Sequence, residues 1–176
     1  VDGSVDDSRL LANSTASGGA ALSLGRLDTA VDLVNSPSHI MISRRMRTRF
    51  KAAARDPNLT NNRVTDDYDS QLGRRVLRFG DLPFLTGYEV SKDSNFLPYN
   101  EVAYGGGSAV TTSLYVVSFR EDGICGIQTS EPEFLPVDTE RGVFKRDLFE
   151  WDNGITWEDF YAGIRLSSVA DAAIVA

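Results

Sequence analysis

The hydrophobic periodicity of this chain changes once, and that change most limits what the chain can fold into. Between residues 22 and 55 apolar side chains recur at helical spacing, and after residue 73 they alternate or run together as in strands. Leu24, Leu27, Val31 and Val34 share one face of a predicted helix, with Arg26, Asp28, Asp32 and Asn35 on the others. Ser23 is placed to cap its start, and Asn35, Ser36 and Pro37 to stop it. HIMIS (39–43) reads as a short buried strand. Ser43 then opens a second predicted helix that runs to about Arg55, with Met46, Phe50 and Ala53 or Ala54 facing inward. A polar excursion (56–73) precedes strand-like runs at 74–79 and 83–90, joined by a Gly80-Asp81 turn. Residues 91–110 read as a long loop. The clearest strand, 111–119, leads through Arg120, Glu121, Asp122 and Gly123 into 124–129, a predicted hairpin. After a Pro-containing connection (130–141), strands are predicted at 143–151 and, as one long run, at 155–168. Residues 1–21, rich in Asp, Ser, Gly and Ala, offer little to bury and read as a mobile lead-in or linker. Helices first and mostly antiparallel strands after predict an α+β domain with helices packed on a mixed sheet.

Composition removes several classes of function. The 176 residues carry 18 Lys and Arg against 25 Asp and Glu, a net charge of −7. A dedicated nucleic-acid binder needs a basic surface, so the balance disfavours one. Cys125 and His39 are the only residues of their types, which excludes an internal disulfide, a cysteine zinc site and any multi-histidine site. No apolar run approaches the roughly 20 residues of a membrane helix. No cationic stretch followed by an apolar run opens the chain, so no signal peptide is expected.

The candidate chemistry is concentrated in one basic run. SRRMRTRFKAAAR (43–55) holds six positive charges in thirteen residues: Arg44, Arg45, Arg47, Arg49, Lys51 and Arg55. On a helix Arg44, Arg47, Lys51 and Arg55 share one flank, and Arg45 and Arg49 lie on another. A run dominated by Arg suits bidentate pairing with carboxylates across a protein interface. It also suits a phosphate-binding face, or a solvated surface. The acidic groups that could meet it are Asp66, Asp67 and Asp69, residues 91–95, and Glu121 with Asp122. Gly105, Gly106, Gly107 and Ser108 lack the following Lys and helix start of a phosphate loop, so they read as a flexible loop tip. His39 is expected beside its buried strand, and Cys125 as a buried, inert thiol. The acidic groups sit in polar turns and loops and lack the pattern of a calcium loop. No nucleophile–base pair and no catalytic, cofactor or metal site emerges from the sequence.

Four segments taken in order, LGRLDTAVDLVNSPSHIMISRRMRTRFKAAARD, LGRRVLRFGDLPFLTGYEV, TTSLYVVSFREDGICGIQTSE and FEWDNGITWEDFYAGIRLSSVADAAIVA, resemble the major capsid protein family of tailed bacteriophages, which has the HK97 fold. The resemblance covers about residues 22–176 and rests on order and spacing as well as on the strings. It implies an apical-like domain over 22–150 after a lead-in at 1–21, and returning strands of the peripheral domain over 151–176. The family's N-terminal arm, extended loop and spine helix find no match, so the resemblance is to the apical and C-terminal portion of a longer coat protein. The positions of the family's covalent Lys–Asn crosslink are not carried over. By resemblance the chain would be a structural, non-catalytic shell component without cofactors. Its partners would be copies of itself, in pentamers and hexamers of the full-length form, with scaffolding or decoration proteins and packaged DNA on the inner face. It would contact no membrane, and its place would be the virion, assembled in the host cytoplasm. An encapsulin-type nanocompartment shell is the alternative of the same fold. A nucleic-acid-binding module using residues 43–55 is the alternative of another class. The Arg-rich helix, paired with the acidic groups of a neighbouring copy, supplies the candidate subunit interface.

Overall fold

A computed structural model describes residues 9–56, 63–69, 73–87, 96–129, 131, 133–137 and 146–176. The acidic stretch 91–95 lies outside them. The chain forms β1 (Leu10–Ala12), α1 (Leu24–Asp32), β2 (His39–Ile42), α2 (Arg44–Ala53), β3 (Val64–Asp69), β4 (Arg74–Phe79), β5 (Leu82–Thr86), β6 (Glu101–Val102), β7 (Ala109–Val117), β8 (Ile124–Gln128), β9 (Glu133–Val137), β10 (Arg146–Glu150), β11 (Asn153–Trp157) and β12 (Gly163–Ala170). The main sheet runs β1-β12-β7-β2-β5-β4-β3, with β6 also pairing β7. The pairs β1–β12 and β2–β5 are parallel and the others antiparallel. The predicted α+β class with helices on a mixed sheet is what the chain adopts. No helix among the described residues is long and apolar enough to cross a membrane.

Strand pleating sorts the side chains onto two unlike faces. Ile164, Val116, Ile40 and Phe84 stand opposite one another across β12, β7, β2 and β5. The helices cover this face. From α1, Leu24, Leu27 and Ala30 are buried, and from α2, Met46, Phe50 and Ala53. All belong to one core cluster with Ile40, Val116 and Ile164. Phe50 lies 4.4 Å, ring to ring, from Phe84, which locks α2 onto β5. The neighbouring row, Leu10, Arg165, Tyr115, Met41 and Leu85, points to the opposite face.

The two helices start for different reasons. Ser43 Oγ accepts the Met46 N–H at 3.1 Å, a side-chain cap as predicted. Ser23 stands at the predicted cap position of α1, but its hydroxyl donates to the Ala176 carbonyl at 3.3 Å. The Leu24 N–H is satisfied by the Val175 carbonyl instead. Long-range pairing replaces the local cap.

Several expectations are corrected. Over its described part the lead-in is paired with the rest of the chain: Leu10–Ala12 runs parallel to β12, and the buried Asn13 ties down residues 20–23. Asn13 Nδ2 donates to the carbonyls of Ala20 (3.2 Å) and Ala21 (2.8 Å), and its Oδ1 accepts the Ser23 N–H at 3.0 Å. The polar excursion contains β3, and the 130–141 connection contains β9. The predicted hairpin of 111–119 with 124–129 does not form: β7 already pairs β12 and β2, so β8 pairs β11. The predicted long strand 155–168 is two strands, broken at 158–162, and they belong to different sheets. β12 (Gly163–Ala170) lies inside the main sheet, between β1 and β7.

Asn13 gives a test of the ordered lead-in. Replacing Asn13 by Ala strands three backbone groups and is expected to lower stability by about 1–3 kcal/mol, measured by urea denaturation at neutral pH. A cost within a few tenths of a kcal/mol would contradict the assignment.

Candidate functional site

The basic helix is partly spent on partners in its own chain. Arg45 and Arg49 reach Asp171, just past β12, at 3.5 and 3.0 Å. The Arg45 guanidinium also lies 5.8 Å from the Tyr99 ring centre. Arg44 and Arg47 project beside Arg75 around a cavity of about 270 Å³ whose other walls include Phe84 and Leu85. Lys51 is half-buried, and Arg55 is exposed past the helix end. Asp66 and Asp67 lie on β3, the outer strand of the sheet, with Asp69 closing that strand. Glu121 and Asp122 form the turn after β7, and Asp122 pairs with Arg120 at 3.1 Å. Among the described residues Arg47, Lys51, Arg55, Asp66, Asp67 and Glu121 make no ion pair. Sequence reasoning misses Asp171, an isolated carboxylate that becomes a partner only when β12 enters the sheet.

The second feature is an apolar groove on the sheet face away from the helices. Met41, Tyr115 and Val117 form its floor, Ile155 and Trp157 one wall, and Phe96 with Leu97 the other, enclosing about 540 Å³. The β8–β11 ribbon builds the first wall. Ile155 stands opposite Gly126, which has no side chain to cover it, and is 82% exposed. The β11–β12 turn adds Phe160 and Tyr161, and the Arg9 guanidinium lies 3.7 Å from the Phe160 ring centre, a cation–π contact. The groove was legible only as a hint, in four aromatics (Trp151, Trp157, Phe160, Tyr161) crowded into a polar, turn-rich stretch.

Polar groups set the edges of this face. Arg165 projects from β12 and donates to Ser113 Oγ at 2.9 Å and Glu101 Oε2 at 3.0 Å. Ser113 itself donates to Glu101. This triad fixes the short β6 against β7 and offers no activated nucleophile, because the Ser113 proton goes to a carboxylate already engaged by Arg165. Asp159 organises the turn that carries the aromatics. It accepts the Tyr161 N–H at 2.8 Å, the Asn35 side-chain amide at 3.2 Å and the Arg120 guanidinium at 3.0 Å. The Tyr161 N–H first, then Asn35 and Arg120, hold its carboxyl below the usual aspartate value, against the opposing effect of desolvation.

The remaining sequence candidates fall as follows. His39 is half-buried on β2, its Nδ1 3.0 Å from Ser38 Oγ, and burial lowers its pKa. Cys125 is half-buried on β8, more accessible than the expected core thiol. The Gly105–Gly107 turn is packed, not a free tip: the Gly18 N–H donates to the Gly106 carbonyl at 2.9 Å, and a Cβ on Gly105 would collide with the Thr15 carbonyl. Among the described residues no cluster of His, Cys, Asp and Glu could hold a metal ion.

This arrangement of sheet, helices and ribbons has a counterpart among solved structures. The cryo-EM structure of the holo-SrpI encapsulin complex from Synechococcus elongatus PCC 7942 matches 98% of the chain with a TM-score of 0.62 at 13% identity. The chain spans 57% of the length of that protein. No family model and no curated protein matches the sequence. At this identity the likeness concerns the fold, which is of the HK97-like α+β kind that the sequence resemblance implied.

The Asp159 contacts carry a pH dependence. Because its pKa is lower folded than unfolded, the stability it contributes is complete above about pH 3.9, the ordinary value for Asp. It is lost as pH falls through the lower folded value. Asp159→Asn is expected to flatten the acid limb of a plot of urea midpoint against pH; an unchanged limb would remove Asp159 from that role.

Proposed function

We propose that this chain is part of a shell subunit whose work is to fit against copies of itself, without a catalytic step or a cofactor. The observation that carries the reading is the fold, matched over 98% of the chain to a protein whose structure is that of an encapsulin complex. The order of the four phage-like segments supports it independently. A sheet with one face closed by helices and the other left apolar and open suits a protein that completes its packing in an assembly.

The finer reading is a phage or prophage capsid subunit, forming pentamers and hexamers around packaged DNA, with scaffolding or decoration proteins as further partners and the virion as its place. The four ordered segments favour it. The structural neighbour favours an encapsulin-type shell, which would enclose protein. The two differ in content: a capsid yields particles rich in nucleic acid, and a nanocompartment yields particles whose mass spectrum shows an enclosed second protein. Electron microscopy of the purified full-length product is expected to show closed shells. A monodisperse monomer would overturn the reading.

The charged contact in such a lattice is assigned to Arg47 and Lys51 on the outer face of α2, set against Asp66 and Asp67 or Glu121 of a neighbouring copy. Arg45 and Arg49 are set aside because Asp171 already engages them. Surface charges of this kind set register and association rate more than affinity. The double reversal Arg47→Glu, Lys51→Glu is expected to slow or abolish particle formation while circular dichroism stays unchanged. Undiminished particle yield would remove this contact. The same variant decides on nucleic acid: a module acting through residues 43–55 would bind DNA with an affinity falling steeply with salt, and the reversal would erase that binding.

A further inference from the structure

Two apolar exposures stand at opposite ends of β7. One is the groove, which meets β7 at Tyr115 and Val117. The other is the turn joining β6 to β7, where Val102, Tyr104 and Val110 are 61%, 62% and 50% exposed. At about 3.4 Å per residue the two lie roughly 20 Å apart along β7. The turn therefore cannot fold back into its own groove.

The turn is held in shape before any partner arrives. The Tyr104 N–H donates to Ser168 Oγ at 2.8 Å, and the Gly106 carbonyl accepts from Gly18. A projection ordered in advance loses little conformational entropy on docking. The groove is also open in advance, since Ile155 faces Gly126 and stays largely exposed. Around it Phe119, Trp157, Phe160 and Tyr161 are each about half exposed. An aromatic side chain buries ~150–250 Å² when fully covered. With Ile155 these residues leave on the order of 500 Å² of apolar surface, which with a polar rim approaches the ~800 Å² that each partner contributes to a standard interface.

We propose that the Val102–Val110 turn of one copy seats in the Ile155–Trp157 groove of the next. The inference rests on the shell reading and names a contact within it. Because the two surfaces differ and sit at opposite ends of one strand, the contact is heterologous. Repetition then generates rings or extended arrays, and not a closed two-fold dimer. One such junction is weak, and a lattice multiplies it through avidity.

The test uses two variants of the full-length product at exposed positions, both expected to keep the circular dichroism of the unaltered protein. One carries Val102→Ser with Tyr104→Ser and has a disabled turn; the other carries Ile155→Lys, which places a cation in a groove already bordered by Arg9 and Arg165. In sedimentation velocity each variant alone is expected to associate at least about tenfold more weakly than the unaltered chain. Mixed in equal amounts they are expected to regain a 1:1 association that neither shows alone, since each pair retains one intact junction. If both variants assemble as the unaltered chain does, the shell reading stands and this contact is wrong. If only the groove variant is impaired, something other than the turn fills the groove and the proposal falls. If the unaltered full-length product stays monomeric at every concentration, the contact falls together with the shell reading.

Discussion

Everything in this structure leans on the apolar row that crosses four strands: Ile164 on β12, Val116 on β7, Ile40 on β2 and Phe84 on β5. It draws together segments from both ends of the described chain and gives the two helices one surface to cover. Ile40 and Val116 are wholly buried, and the Phe50 ring rests on Phe84. Strand pleating makes the consequence unavoidable. Once these residues face the helices, Met41, Tyr115 and Arg165 must face the other way. The open groove is thus the reverse side of the core row, and the same register produces both.

That asymmetry decides which surfaces are left apolar and open. The helix-covered face is closed to further apolar contact, and of its arginines Arg45 and Arg49 are matched within the chain by Asp171. The other face keeps large apolar side chains in water at the β8–β11 ribbon and the turn after it. Buried hydroxyls on β7 hold the flanking loop beside that face without filling it: Thr111 donates to the Glu101 carbonyl at 2.8 Å and Thr112 to the Leu97 carbonyl at 3.1 Å. Among the described residues the groove is bounded by paired backbone on one side and anchored loop on the other.

The sequence was most informative where the physics is local. Ser43 capping α2, the buried stripe of Met46, Phe50 and Ala53, the short strand at 39–42 and the Gly80-Asp81 turn could all be read from spacing and residue type. Misreadings occurred where a local signal competed with a distant partner. Glu121, Asp122 and Gly123 do make a turn, but the expected hairpin fails because both edges of β7 are taken. The alternation through 155–168 is real, yet Asp159 and the residues around it break the strand and send its halves to different sheets. Leu10–Ala12 and Val64–Asp69 were missed because short or outer strands need little apolar patterning of their own.

The sequence by itself determined the helices, their inner faces, most of the strand segments and the uneven charge of residues 43–55. Spacing within one element fixes which side chains share a face, and a single chain displays that spacing directly. Tertiary structure alone decided which strands pair, which arginines are spent on Asp171, and which apolar residues remain uncovered. Those outcomes depend on register between segments as distant as Leu10 and Arg165. Register follows from burial summed over the whole sheet, and no local stretch of residues contains that sum.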